Sequence, residues 1–131
     1  DTDILVVLLP LTPDTRGIID SALLHKLSDA NRSDRLPGPA IINAGRGGLQ
    51  VEADILAALD AKVLHAASLD VFETEPLPKG SPLWTHPRVI ITPHNAAEST
   101  TESIVRYFLD TVSAEERGDE LVNVVDRSRQ Y

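Results

Sequence analysis

The sequence predicts an α/β fold: a parallel sheet of about four strands with helices against its faces. Three observations lead there. Four short apolar runs occur, at residues 4–9, 40–43, 64–69 and 89–92. Helical patterns and loops alternate with them through short connections, the order of successive strand–helix–strand units. The first run, Ile4-Leu5-Val6-Val7-Leu8-Leu9, is apolar on both alternations, which suits a strand buried on both faces.

The elements follow in order. Pro10, Pro13 and Gly17 punctuate a loop after the first strand. Asp20 is placed to cap a short helix whose Leu23, Leu24 and Leu27 share a face. Residues 28–39 are polar and turn-rich and read as an exposed loop. The second strand ends at Asn43 and runs into Gly45-Arg46-Gly47-Gly48, which reads as a loop needing unusual backbone freedom. Residues 52–61 form a helix with Ile55, Leu56 and Leu59 inward, followed by the third strand. Pro76, Pro78, Pro82 and Pro87 make 72–88 irregular, and Pro93 stops the fourth strand. Ser99-Thr100-Thr101-Glu102 has the capping-box pattern, and Ile104, Val105, Phe108, Leu109 and Val112 recur behind it at helical spacing to about Gly118. Residues 121–131 read as extended and then frayed.

The 131 residues are 42% hydrophobic and 24% charged, a globular composition for one ordinary domain. No run of ~18 apolar residues offers a spanning helix. No basic-plus-apolar leader pattern opens the chain, so a cytoplasmic protein is expected. The absence of Cys removes disulfides and thiolate chemistry. The net charge of -8 argues against nucleic acid or an anionic membrane as main partner. The chain has no Met and starts at Asp1, so it reads as a piece of a longer protein.

In open parallel sheets ligands bind outside the carboxyl ends of the strands. That rule singles out Pro10 and Thr12, then Asn43 and Arg46, then Asp70 and Glu75, then His94 and Asn95. An Arg, a carboxylate and a His converging on one rim would make an anion site beside an acid/base pair. Each residue also has a plainer reading: Arg46 as a loop cation, Asp70 as a turn cap, Glu75 as a solvated charge, His94 as a satisfied loop histidine. His25, His65 and His86 carry no expected role. No metal site is expected, because no H-x-x-x-H or similar spacing exists. The glycine cluster lacks the G-x-G-x-x-G spacing and the Walker lysine, so it is weak as a phosphate loop.

Three motifs in order break the ambiguity. Asn43-Ala44-Gly45-Arg46-Gly47-Gly48, Leu69-Asp70-Val71-Phe72-Glu73-Thr74-Glu75-Pro76 and Thr92-Pro93-His94 resemble the N-x-x-R-G, L-D-V-F-x-x-E-P and T-P-H motifs of the D-isomer-specific 2-hydroxyacid dehydrogenases. The intervals, 29 residues from Arg46 to Glu75 and 19 from Glu75 to His94, fit that family. The opening Leu9-Pro10-Leu11-Thr12-Pro13-Asp14-Thr15 resembles its cofactor-side loop. Residues 81–89 and 125–131 are similar to its glyoxylate/hydroxypyruvate reductase A subgroup.

The resemblance implies the second half of a Rossmann-type doubly wound sheet, with residues 1–118 as the C-terminal half of a dinucleotide-binding domain. Residues 119–131 would be a tail returning to a substrate domain. It implies hydride transfer from NAD or NADP, with NADPH favoured, to a small 2-oxo acid such as glyoxylate or hydroxypyruvate. Arg46 would hold the substrate carboxylate by its guanidinium fork. His94 would give a proton to the carbonyl oxygen, and Glu75 would orient His94 and favour its protonated form. Leu9, Pro10, Thr15, Ala44, Gly45 and Arg46 would line the cofactor, and Asp70 would contact the nicotinamide amide. The chain departs from the family pattern in three ways. It lacks the Gly-rich pyrophosphate loop and the first three strands, 28–39 is longer than usual, and His65 stands where Gly is common. On this reading the 131 residues alone would show no reductase activity. They would form a homodimer or larger assembly that covers the 4–9 edge or the Ile104/Phe108 face. A non-catalytic dinucleotide sensor and a ligand-free interaction module are the alternatives.

Overall fold

The computed structural model describes residues 2–28 and 37–128, so most of the loop at 28–39 and the last three residues lie outside the described residues. The chain divides into two compact units, Asp1–Ala96 and Ala97–Tyr131. The first holds β1 (Ile4–Val7), α1 (Ser21–Ser28), β2 (Ala40–Asn43), α2 (Glu52–Asp60), β3 (Ala66–Leu69) and β4 (Val89–Ile91). Single 3-10 turns lie at Gly47–Leu49 and Pro82–Trp84. The four strands form one parallel sheet in the order β1-β2-β3-β4. All four carboxyl ends therefore open on one rim.

The ladder register sorts the sheet residues into two faces. Leu5, Val7, Ile41, Asn43, Ala67, Leu69, Val89 and Ile91 point one way. Their buried members cluster with Leu24 and Leu27 of α1 and Ile55, Ala58 and Leu59 of α2. The two helices pack on each other, so both lie on this face. The opposite face carries Ile4, Val6 and Ile90, exposed by 51%, 53% and 63%. This corrects the expectation that the first run is buried on both faces. Its apolar alternation is real, but both described helices of the unit cover the same side. The strand is also shorter than expected. Its last ladder bond runs from the Ala44 amide to the Val7 carbonyl (3.1 Å), and Leu8 and Leu9 leave the sheet toward Pro10. β3 likewise begins at Ala66, although Leu64 is fully buried just before it.

Asp20 caps α1 by accepting from the Leu23 amide at 2.8 Å. At α2 no side chain of Val51 caps the helix. Instead Glu73 Oε1 accepts from the Glu52 amide (2.7 Å), and Glu52 Oε1 accepts from the Glu73 amide (2.8 Å), stitching α2 to the segment after β3. His86 Nε2 lies 3.4 Å from Asp60, and His65 is half-buried.

The second unit holds α3 (Thr101–Arg117), closed by Gly118 in the left-handed conformation at φ 73°. Its cap is Thr100, whose hydroxyl accepts from the Ser103 amide at 3.2 Å. The expected box from Ser99 to Glu102 is thus displaced by one residue. Thr100 is the last extended residue, so the third helical position falls on Ser103. Residues 121–128 make bends and a turn, and the end of the tail expected to fray, 129–131, lies outside the described residues. Among the described residues, no helix is long and apolar enough to cross a membrane.

Candidate active site

The glycines of 45–48 explain how the rim loops come together. Among them none has a positive φ, which corrects the expected need for backbone freedom. Close approach is the reason instead. A Cβ on Gly45 would stand 2.9 Å from the Leu9 carbonyl oxygen, and one on Gly47 would stand 1.7 Å from that of Phe72. The loop after β2 is therefore pressed between the loops after β1 and β3. Leu9 and Pro10 are exposed there and Ala44 is half-buried. Thr15 turns its hydroxyl inward, donating to the Pro10 carbonyl (2.7 Å), while Thr12 N donates to Thr15 Oγ1 (2.8 Å). That turn fixes the first loop from within.

Asn43 is fully buried at the end of β2. Its Oδ1 accepts from the Gly45 amide at 3.1 Å, and its Nδ2 donates to the Arg46 carbonyl at 3.2 Å. The Gly45–Arg46 turn is thereby held from below, leaving the Arg46 side chain exposed, with Nη1 donating to the Gly45 carbonyl at 2.7 Å. Asn43 Nδ2 also donates to Gln50 Oε1 (2.8 Å), and Gln50 Nε2 donates to the Val71 carbonyl (3.0 Å). Gln50 is 2% exposed. Sequence reasoning missed it. A lone amide between Leu49 and Val51 carries no signal until the β2–β3 pairing brings Val71 beside it.

Asp70, at the end of β3, is buried and organises the loop after β4. Oδ1 accepts from the Thr92 hydroxyl and from the Asn95 amide (3.1 Å), and Oδ2 accepts from the Ala96 amide (2.9 Å). Burial pushes its carboxyl up. The Thr92 hydroxyl, the Ala96 and Asn95 amides and the nearby His94 outweigh that and hold it below the ordinary value. The clamped loop carries His94 at φ 54°, a left-handed conformation costly for a residue with a Cβ. Backbone strain of this kind persists only where the surroundings impose it, and Asp70 bonds residues on both sides of His94.

His94 Nδ1 lies 2.8 Å from Glu75 Oε2. Glu75 Oε1 in turn accepts from the Phe72 amide at 3.0 Å. The His94 hydrogen bond is the main cause that holds the Glu75 carboxyl below its ordinary value; burial opposes it, and the Phe72 amide adds to it. An ionised carboxylate only accepts, so Nδ1 carries the proton in this bond and Nε2 is left for other chemistry. Beside the pair opens a cleft of about 620 Å³ walled by Phe72, Leu77, Trp84 and Ile91. Trp84 is fixed there by Nε1 donating to the Pro78 carbonyl at 3.0 Å.

The structure thus joins Asp70, Glu75 and His94 through one pair of loops, and Asn43, Gly45 and Arg46 through another. Among the described residues, no group of three or more His, Cys, Asp or Glu side chains is placed to hold a metal ion.

Comparison with known proteins places this rim in context. The family model for the D-isomer specific 2-hydroxyacid dehydrogenase, NAD binding domain, matches residues 1–96. An NADPH-dependent glyoxylate/hydroxypyruvate reductase from Sinorhizobium meliloti, solved with NADP and sulfate, is similar at 51% identity and TM-score 0.90, covering 99% of this chain and 40% of that one. A probable 2-hydroxyacid dehydrogenase from Rhizobium etli, solved with NADP, HEPES and L(+)-tartaric acid, is similar at 48% identity and TM-score 0.90, with the same coverage. A D-isomer specific 2-hydroxyacid dehydrogenase from Xanthobacter autotrophicus, solved with NADPH and MES, is similar at 39% identity and TM-score 0.86, covering 98% of this chain and 50% of that one. The chain therefore spans 40 to 50% of the length of these solved structures.

Proposed function

The chain belongs to the D-isomer specific 2-hydroxyacid dehydrogenase family, and from that premise we propose that it forms the proton-donating half of a cytoplasmic NADPH-dependent reductase. The substrate is a small 2-oxo acid of the glyoxylate or hydroxypyruvate class, reduced to the 2-hydroxy acid. The observation that carries the reading is the Glu75–His94 bond of 2.8 Å on a loop that Asp70 holds in a left-handed turn. The choice of NADPH and of substrate class is supported by the similar Sinorhizobium meliloti protein, an NADPH-dependent glyoxylate/hydroxypyruvate reductase, and by the similar Xanthobacter autotrophicus dehydrogenase, solved with NADPH.

The residues at the ends of β1 and β2 fit the nicotinamide end of such a cofactor. Leu9, 43% exposed, stands with Pro10 beside Gly45 and half-buried Ala44, apolar surface against which a flat ring can lie. When bound, NADPH supplies the hydride that reaches C2 of the oxo acid. Arg46 binds the substrate carboxylate through two parallel N–H bonds, which fixes the carbonyl relative to the rim. His94 donates the Nε2 proton to the carbonyl oxygen as negative charge develops there. Glu75 keeps Nδ1 protonated and the ring oriented through that transfer, and its carboxylate compensates the imidazolium before the proton leaves. Asp70 keeps the His94 turn in place, with both carboxylate oxygens engaged by the loop after β4.

The complete polypeptide should oxidise NADPH with glyoxylate or hydroxypyruvate. His94→Gln should lower kcat on the order of 100-fold or more, the usual scale for a lost general acid, with NADPH affinity little changed. Arg46→Lys should chiefly raise KM, because Lys keeps the charge and loses the fork. A wild-type protein inactive on every small 2-oxo acid tested, or a fully active His94→Gln variant, overturns the reading. Self-association of the isolated 131 residues as a homodimer or larger assembly is part of the proposal, supported by the edge position of β1 and its exposed apolar face. Light scattering of those 131 residues that returns a monomer at micromolar concentration contradicts it.

A further inference from the structure

We propose that Gln50 is a positioning residue of the reaction, holding the Arg46 turn in register with the Glu75–His94 pair through the Val71–Phe72 peptide unit. The inference rests on the functional reading above and deepens it. Neither the three motifs nor the glycine contacts assign Gln50 a task. It is nevertheless 2% exposed, and both ends of its amide are used. An apolar side chain of similar volume would fill the same space without the cost of burying an amide.

Those two bonds connect the two loops that carry the site. On one side Gln50 Oε1 accepts from Asn43 Nδ2, which also donates to the Arg46 carbonyl. On the other side Gln50 Nε2 donates to the Val71 carbonyl. That carbonyl and the Phe72 amide belong to one planar peptide group, and the Phe72 amide donates to Glu75 Oε1. Glu75 Oε2 then meets His94 Nδ1. A continuous path therefore runs from the Arg46 backbone to the His94 ring. Within it Gln50 is the side chain that crosses from the loop after β2 to the loop after β3. The contact of Gly47 with Phe72 sets how near the two loops come, and the Glu52–Glu73 pair ties them at the exposed surface. Neither aims the Val71–Phe72 peptide plane. Gln50 does, by pulling on its carbonyl, and the tilt of that plane directs the amide that holds Glu75. Bonds in such a chain also polarise one another in the buried environment.

The consequence is specific to one kinetic constant. Arg46 still forks a carboxylate when Gln50 is lost, and the 2-oxo acid still binds. Its carbonyl oxygen, however, no longer meets His94 Nε2 in line, and misplacement of about 1 Å costs on the order of 100-fold in rate. The test uses the complete polypeptide with Gln50→Leu, which removes both bonds, and Gln50→Met, unbranched and similar in length, as the second variant should Leu fail to fold. Steady-state reduction of glyoxylate and hydroxypyruvate is measured, with kcat normalised to the concentration of NADPH-binding sites so that loss of folded protein does not count. The expected result is a fall in kcat of roughly 10- to 100-fold with KM for the oxo acid and Kd for NADPH each within about 3-fold of wild type. An active wild type with kcat per site unimpaired in the variants overturns this inference alone, as does a loss confined to KM. A wild type that binds NADPH and reduces no 2-oxo acid overturns the functional reading and this inference with it.

Discussion

Replacing Asp70 by Asn changes one atom's chemistry at the point where β3 holds the loop of β4. The carboxylate now accepts three hydrogen bonds, from the Thr92 hydroxyl and the Asn95 amide on Oδ1 and from the Ala96 amide on Oδ2. An amide keeps one acceptor and turns the other into a donor. If its oxygen takes the Oδ1 place, its NH₂ faces the Ala96 N–H, and one bond becomes a donor–donor contact. A bond to a charged group contributes about 1.5–3 kcal/mol and a neutral one about 0.5–1.5 kcal/mol. The lost bond, about 1.5–3 kcal/mol, and the weakening of the other two by about 1–1.5 kcal/mol each together amount to about 3.5–6 kcal/mol, with Asp70 too buried for water to replace what is lost. Urea unfolding of Asp70→Asn and wild type at neutral pH measures this. Amide hydrogen exchange at Asn95 and Ala96 should quicken in parallel, since those are the N–H groups released. A stability loss below about 0.5 kcal/mol, the scale of an ordinary surface substitution, together with unchanged exchange, would refute the clamp.

Two further outcomes follow from the same geometry. Glu75 and Asp70 both have folded-state carboxyls held below their ordinary values of 4.5 and 3.8. Groups shifted that way contribute stability that is fully present above those values and is lost as the pH falls through the lower folded-state ones. Stability should therefore decline as the pH drops below about 4.5, and Glu75→Gln should flatten that decline in urea midpoints taken across the acid range; an unchanged slope contradicts the assignment. Gly47→Ala should cost about 3 kcal/mol or more, because its Cβ would meet the Phe72 carbonyl and backbone cannot step aside. Gly48→Ala should cost clearly less, since the nearest atom is Leu11 Cδ2 at the end of a flexible side chain; equal losses would contradict the packing account.

The order of strands and helices was legible because apolar runs closed by Pro10, Asn43, Asp70 and Pro93 leave little choice of element. Which faces those runs bury was not. An alternation apolar on both sides, as in Ile4 to Val7, reports what a strand can bury and not what lies against it. Glu75 and His94 were legible only through their motifs. By composition each reads as a surface charge or a loop histidine, and their meeting needs β3 beside β4. Gln50 was illegible for the same reason in stronger form. Its partners, Asn43 and the Val71 carbonyl, lie on two strands that only the sheet register brings together. The cap of α3 turned on a single residue, and Ser99-Thr100-Thr101 offers three hydroxyls among which the pattern alone does not choose.

In the proposed reaction Arg46, Glu75 and His94 serve a direct hydride transfer to the carbonyl carbon of a 2-oxo acid. The most direct measurement follows the isotope. The complete polypeptide is supplied with NADPH deuterated at the transferable position of the nicotinamide and with hydroxypyruvate, and the product is read by mass spectrometry and chiral analysis. The expected product is the D-hydroxy acid with one deuterium on C2, formed by wild type and, at the same cofactor occupancy, far more slowly by His94→Gln. Product without deuterium, a racemic product, or equal rates in the two proteins would contradict it.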